Sequence, residues 1–292
     1  MLGGLAQFVM KSRVSGMLFM LLATLVPLFV WFANAALALW ALRRGPRDAL
    51  IVGGGALAGY VAFEVLLTGN LLGASLLAVG LWAPVFLAAL VLRSTVSLQQ
   101  AINVITMAAI VVLGITLALF DAGDIAWTAV FGIDTSQLSG DAQTELGRFF
   151  AMLPVGLALS VWINSVIGLL LARHWQALLY NPGGFRREFH QFRVGTVMTV
   201  VAALVWAASF VAGPPAVSYL SMVLGAGLVL QAFALVHAYS YAKGWGWFVP
   251  AIAYILLPLA WPLFIALGIL DSFMNYRKSL PVPEQPESPR GE

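Results

Sequence analysis

Only a few residues of this 292-residue chain combine a ligand-binding type of side chain with a position inside a long apolar segment. Glu64 lies near the end of one segment and Gln231 in the middle of another, whereas Ser160, Asn164 and Gly168 recur every four residues on one face of a third. Because ionisable and amide groups in lipid need partners or water, we predict that Glu64, Ser160, Asn164 and Gln231 are candidate ligand-binding residues. The alternatives are an interfacial carboxylate for Glu64 and interhelical hydrogen bonds for the other three.

A second pattern follows the turn sequence NPGG at 181–184. Phe185, Phe189 and Phe192 fall at i, i+4 and i+7, which is the spacing of one helix face. The basic residues on the other faces are Arg186, Arg187, His190 and Arg193. The pattern predicts a short cytoplasmic amphipathic helix over 185–193, with its rings in the membrane and its arginines on anionic headgroups. A docking surface for a membrane or cytoplasmic protein partner is the alternative.

Most familiar catalytic and metal-binding patterns are absent from the sequence. There is no cysteine, no GxxxxGK[ST], no HExxH and no GxSxG, and the three histidines lack metal-site spacing. Lysine and arginine exceed acidic residues by only 15 − 12 = 3, spread over many loops, so a nucleic-acid partner is not predicted. We therefore predict no enzyme activity, no cofactor, no metal and no motor of its own for transport.

The composition predicts a membrane protein. Hydrophobic residues make up 61% of the chain and charged residues 9%, against about 25% charged in soluble domains. Eight apolar segments lie at 14–42, 50–67, 71–92, 101–120, 149–172, 194–212, 217–239 and 247–270. Their length predicts an all-α, polytopic transmembrane helix bundle over residues 1–278. The proline-rich polar tail at 279–292 is predicted to be disordered.

Charge between the segments predicts the orientation. The loop at 173–193 is rich in arginine, which predicts a cytoplasmic location, whereas the loop at 121–148 is acidic, which predicts an external one. Lys11 and Arg43 both favour the cytoplasm although one apolar segment separates them, so we predict a hairpin broken near Pro27. The side reached by the last, proline-rich segment stays open. The expectation is eight to ten spans with a cytoplasmic N-terminus.

Several stretches of the chain are similar to a known family. The most specific stretch is ARHWQALLYNPGGF at 172–185, and others are LRRG at 42–45, WAPV at 82–85, EFH at 188–190, QAFALVH at 231–237 and LGILDSFMNYR at 267–277. Together they resemble the YybS-like bacterial membrane proteins, a family without an assigned function. The resemblance covers nearly the whole chain.

The resemblance implies a fold and two functions. The YybS-like family is distantly similar to the substrate-binding subunits of energy-coupling-factor transporters and to the cell-shape membrane protein MreD. It thus implies an S-component-like bundle that acts as a small-solute-binding or permease-type transport component. The alternative is an MreD-like scaffold that organises partner proteins. The AxxxA motif with which such subunits dock their motor is absent between Ser15 and Pro27.

Overall fold

The computed structural model describes residues 2–69, 71–119, 139–211, 213–274 and 276–280. Within these residues the regular structure is all helical, as predicted. The α-helices are α1 (Leu2–Lys11), α2 (Arg13–Leu25), α3 (Val30–Arg43), α4 (Pro46–Thr68), α5 (Leu71–Thr95), α6 (Leu98–Leu119), α7 (Gly140–Ala151), α8 (Leu153–Tyr180), α9 (Gly184–His190), α10 (Thr196–Ala208), α11 (Pro215–Lys243) and α12 (Phe248–Met274). Short 3-10 helices cover Pro27–Phe29 and Tyr276–Ser279.

Five helices in the described part of the chain, α4, α6, α8, α11 and α12, are long and apolar enough to cross a membrane. Shorter apolar helices cover Arg13–Leu25, Pro27–Arg43, Val79–Thr95 and Thr196–Ala208. Among the described residues, large apolar side chains are exposed on the outside of the bundle: Leu66 and Leu259 are both 86% exposed. An outer surface of this kind suits lipid and not water.

The hairpin predicted near Pro27 is present. The 3-10 turn separates α2 from α3. Trp40 Nε1, near the end of α3, donates to the carbonyl of Val9 at 3.2 Å, and Val9 lies in the last turn of α1, just before α2 begins. Arg13 at the start of α2 pairs with Asp48 in the first turn of α4 at 2.5 Å. The start of α2 therefore lies beside the end of α3, and Lys11 and Arg43 lie at the same end of the bundle.

The second arm of this hairpin forms the centre of the bundle. Eleven of the fourteen residues of α3 are buried, and α8 packs along it in the same direction, with Asn34 beside Asn164 and Arg43 over the ring of Tyr180. A Cβ added to Gly168 would stand 2.5 Å from the Asn34 Cβ. Glycine at 168 is therefore what allows the two helices to approach so closely.

The chain reverses direction inside α12. Before Ala260, whose backbone is not helical (φ −122°, ψ 18°), contacts with α11 are antiparallel: Tyr254 stacks on Phe233 and bonds to His237. After it they are parallel, because Ile265 lies against Gly225 and Gly268 against Leu228. Pro258 and Pro262 flank the bend. We name the two parts the descending arm and the returning arm of α12.

Both reversals bring basic segments to one end of the bundle, which we call the basic face. Arg93 Nη1 at the end of α5 donates to the carbonyls of Ala41 and Leu42 at the end of α3. Tyr239 near the end of α11 donates to the Tyr276 carbonyl at 2.9 Å. Of the fourteen lysine and arginine residues in the part of the chain that the structure describes, all except Arg148 belong to segments at this face.

Two predicted segments fall wholly or largely outside the described residues. They are the acidic loop at 121–148, of which only 139–148 is described, and the tail at 279–292, of which only 279–280 is described. The predicted disorder of the tail therefore stays a prediction.

Candidate functional site

Gln231, a predicted ligand residue, is fully buried and hydrogen-bonded on both ends of its amide. Its Oε1 accepts from the Val194 backbone N–H at 2.8 Å. Its Nε2 lies 2.8 Å from Asp271 Oδ2, 2.9 Å from Ser272 Oγ and 3.1 Å from the Gly268 carbonyl. Gln231 thus joins the segment before α10 to α11 and to the returning arm of α12.

The other three predicted ligand residues lie apart from Gln231 and only two lie together. Asn164 Nδ2 donates to the Ser160 carbonyl at 2.8 Å, and the Asn164 carbonyl accepts from Asn34 Nδ2 at 3.3 Å. Ser160 is exposed on the outside of α8. Glu64 is half-buried near the end of α4, at the opposite end of the bundle from the basic face. Ligand binding by these four residues stays a prediction.

A pocket of about 510 Å³ opens at the basic face between α8, α9, α11 and the descending arm of α12. All three histidines of the chain lie on its wall. The lining residues are Leu170, His174, Ala177, Leu178, Gly183, Phe185, Arg186, Phe189, His190, His237 and Tyr254, and we call the site the His–aromatic pocket. Its volume is in the range of small-molecule sites, which combine apolar walls with a few polar groups.

Rings follow one another around the pocket wall. Phe185 stacks on Phe189 with centroids 5.9 Å apart, and each ring meets a histidine edge-on: His174 at 5.7 Å and His237 at 5.6 Å. His237 Nε2 in turn lies 3.1 Å from the Tyr254 hydroxyl. The wall therefore offers flat apolar surfaces, with polar groups at their edges.

The predicted amphipathic segment at 185–193 supplies one side of the pocket. Its helix, α9, ends at His190, so the i, i+4, i+7 spacing does not extend to Phe192, which is 3% exposed and lies in the protein core. Phe185 and Phe189 face the pocket, and the Arg173–Glu188 pair, at 2.5 Å, ties α9 to α8. The three rings therefore do not form the continuous lipid-facing stripe that the spacing predicts.

The arginines of this segment have different surroundings. Arg186 lines the pocket and its guanidinium lies 4.8 Å from the centre of the Tyr241 ring, whereas Arg187 is exposed outside the pocket. Arg193 lies beyond α9, and its Nη2 is 3.7 Å from Asp271 Oδ1. Of the predicted surface arginines, Arg186 and Arg187 thus remain accessible, whereas Arg193 belongs to an internal ion cluster.

We call this internal group the Arg–Asp–Gln cluster: Arg193, Gln231, Asp271 and Arg277. Asp271 is fully buried between the two arginines, with Arg277 Nη2 at 3.2 Å from its Oδ2. Arg277 is 10% exposed, and its Nη2 also donates to the Gln231 carbonyl at 3.3 Å. Burial, opposed in part by Asp271, lowers the pKa of Arg277 to about 10, so it keeps its charge at neutral pH.

His190 lies where the His–aromatic pocket and the Arg–Asp–Gln cluster meet. Burial, together with the smaller effects of His237, Arg186 and Arg277, lowers its pKa to about 4. His190 is therefore neutral at pH 7 and has an N–H to donate. Arg186 and Arg277, which are among the smaller causes of this shift, also make the electrostatic potential on this side of the pocket more positive.

Sequence reasoning did not find the pocket as a site. His174, His190 and His237 are far apart in the chain, and Tyr254 comes from a fourth helix. Asp271 does not stand out in the sequence, because it follows directly after the apolar segment that ends at Leu270. One sequence signal points to Asp271: it and Arg277 are charged residues that directly follow an apolar segment. In the structure they meet the buried amide of Gln231.

The comparisons with known proteins add no neighbour. No protein-family model, no curated protein and no solved structure matches this chain. Within the described residues, no group of three or more histidine or acidic side chains could hold a metal ion. The candidate site therefore depends on its own geometry.

Proposed function

We propose that the protein is a small-solute-binding or permease-type component of a membrane transport system, without a motor of its own, and that its ligand binds in the His–aromatic pocket. The observation that carries the proposal is the pocket itself: about 510 Å³ between three long helices and α9, with apolar walls and a few polar groups. The suggested YybS-like membership, and through it the likeness to transporter subunits, agrees with this function.

The proposal includes a location and an orientation. A polytopic bundle of eight to ten spans, counting the shorter apolar helices, would sit in the bacterial inner membrane with the basic face in the cytoplasm, because cytoplasmic loops collect lysine and arginine. The N-terminus and the pocket mouth would then both be cytoplasmic. Arg186 and Arg187 would lie at the level of anionic headgroups, which makes the lipid bilayer a partner.

A pocket-filling variant tests the ligand site. Leu178 lines the pocket but is 45% exposed, so Leu178→Trp should reduce the pocket volume without disturbing the core. We expect a metabolite screen in detergent to yield a solute that raises the melting temperature of the native protein, because a ligand at 100 times its Kd stabilises by about 2.7 kcal/mol. That stabilisation should be lost in Leu178→Trp.

The matched control is Leu157→Trp, the same substitution at a 42% exposed position of α8 that is not part of the pocket wall. Its melting temperature should respond to the solute as the native protein does. If no solute stabilises the native protein, or if both tryptophan variants respond equally, the pocket is not the ligand site.

A scaffold like MreD is the second candidate function, and the bonding of Gln231 favours it. A scaffold needs solid packing. Both ends of the Gln231 amide are hydrogen-bonded to neighbouring segments of the protein and are therefore not available to a solute. In-cell crosslinking separates the two functions. A scaffold predicts recovered membrane or cytoplasmic protein partners that are lost when Arg186 and Arg187 are reversed to glutamate, whereas the transport function predicts solute-dependent stabilisation.

A further inference from the structure

Arg186 is the one lysine, arginine, aspartate or glutamate on the wall of the His–aromatic pocket, and its charge is positive. Three histidines share the wall with it. The nearby acid, Glu188, is already held by Arg173, whose Nε and Nη2 donate to its Oε2 at 2.9 and 2.5 Å. An organic cation would find no counter-charge in this wall, whereas an anion would find a guanidinium and ring N–H donors.

The ring geometry selects the body of the ligand. Phe185 and Phe189 lie side by side on the pocket wall, with their ring planes 23° apart and their centroids 5.9 Å apart, and each makes a T-shaped contact with one histidine, His174 or His237. A flat ring system gains stacking energy against surfaces of this kind beyond the burial of apolar area. A sugar or a small inorganic ion would leave these apolar faces uncovered.

Positive charge continues behind the pocket. In the Arg–Asp–Gln cluster two arginines face one aspartate, which leaves a surplus of one positive charge. Arg277 Nε and Nη1 are buried without a hydrogen-bond partner. Since His190 feels the charge of Arg277, this surplus adds to the positive potential at the inner side of the pocket.

We propose that the His–aromatic pocket binds a soluble aromatic organic anion, whose flat body lies along Phe185 and Phe189 and whose acidic group lies at Arg186 and His190. This inference rests on the proposed solute-binding function and names the chemical class of the solute. A membrane-bound anion would share the acidic group but not the flat body, so the test includes an anionic lipid.

The test uses two probes with the same ring and linker, naphthalene-2-acetate, which ends in a carboxylate, and naphthalene-2-acetamide, which ends in a neutral amide. Binding is measured by calorimetry on the full-length protein in phosphatidylcholine nanodiscs, with empty nanodiscs subtracted. We expect the acid to bind about tenfold more tightly than the amide, which is the effect of one charge-assisted hydrogen bond. Arg186→Gln should remove this preference.

Arg187→Gln is the matched control, because Arg187 is the next residue and is exposed outside the pocket. It should keep the acid preference.

If acid and amide bind equally, or if both glutamine variants behave alike, the anion assignment fails while solute binding stands. The solute site and the anion assignment both fail if neither probe binds to the native protein and if, in addition, solute-dependent stabilisation persists in Leu178→Trp. If phosphatidylglycerol in the nanodiscs displaces the acid, the anionic site belongs to a lipid headgroup and the soluble ligand is excluded.

The pH dependence gives an independent check on His190. The pKa of free His190 is lowered to about 4, and a bound anion favours its protonated form, so the pKa rises in the complex and binding takes up a proton. Affinity for naphthalene-2-acetate should therefore increase as the pH falls from 7.5 to 5.5, by up to about tenfold if the bound anion restores an ordinary pKa near 6.5. His190→Gln should flatten this profile, and an equally steep profile in that variant would contradict the assignment.

Discussion

Replacing Asp271 with alanine is expected to lower the free energy of unfolding by about 3–5 kcal/mol, because it leaves buried charge without a partner. Asp271 is fully buried and faces both Arg193 and Arg277. The Arg277 side chain is 90% buried, and the Arg–Asp–Gln cluster contains no acidic residue besides Asp271. Gln231 Nε2 would also lose its 2.8 Å bond to the carboxylate. Equilibrium unfolding in mixed micelles measures the loss.

Two further variants separate the charge from the general effect of a mutation. Glu145→Ala removes a carboxylate from an ion pair with Arg148 in which both side chains are largely exposed, and it should cost only about 0.5 kcal/mol. The double variant Asp271→Leu, Arg277→Met removes the buried charges of both partners and should recover much of the lost stability. An Asp271→Ala protein as stable as Glu145→Ala would contradict the ion cluster.

Gly268→Ala is expected to separate the returning arm of α12 from α11. An added Cβ would stand 2.4 Å from the Leu228 carbonyl oxygen and 2.9 Å from its carbonyl carbon, and a backbone cannot move aside as a side chain can. Overpacking of this kind costs about 1–3 kcal/mol. Here it should reach the upper end, because Gln231 and Asp271 lie one turn further along the same contact. The unfolding assay used for Asp271→Ala measures it.

Gly114→Ala in α6 is the matched control, since a Cβ there meets no atom within 4 Å. Alanine is the better helix former, so this variant should be as stable as the native protein or slightly more stable. If Gly268→Ala were equally harmless, the parallel packing of the returning arm on α11 would be wrong, and with it the reversal at Ala260.

Helices and their placement were predictable to different degrees. Continuous apolar runs predict helices because lipid offers the backbone no partner, and the hairpin at Pro27 followed from basic residues on both sides of one segment. The reversal of α12 was not predictable from proline alone. Pro84 lies inside the continuous helix α5, whereas Pro258 and Pro262 flank the non-helical Ala260, so whether a proline bends its helix depends here on packing against α11.

The candidate site shows the same limit. Gln231 was recognised as a buried amide in need of partners, but its partners come from residues 37 to 41 positions away, a separation that sequence periodicity does not reveal. The spacing of Phe185 and Phe189 predicted a common face correctly. It did not predict that α9 ends at His190 and sends Phe192 into the core, because helix ends depend on tertiary contacts.

The proposed function and orientation require that the protein cross a membrane with its pocket and its basic segments on a single side. The chain contains no cysteine, so single cysteines at exposed Ser94, Lys243 and Lys278, and at Thr68 and Thr144 for the opposite side, can be labelled with a membrane-impermeant maleimide in oriented vesicles. We predict that the first three label from one side and the last two only from the other. Labelling of Lys278→Cys from the side of Thr144→Cys, or labelling of all five from both sides, would contradict the account.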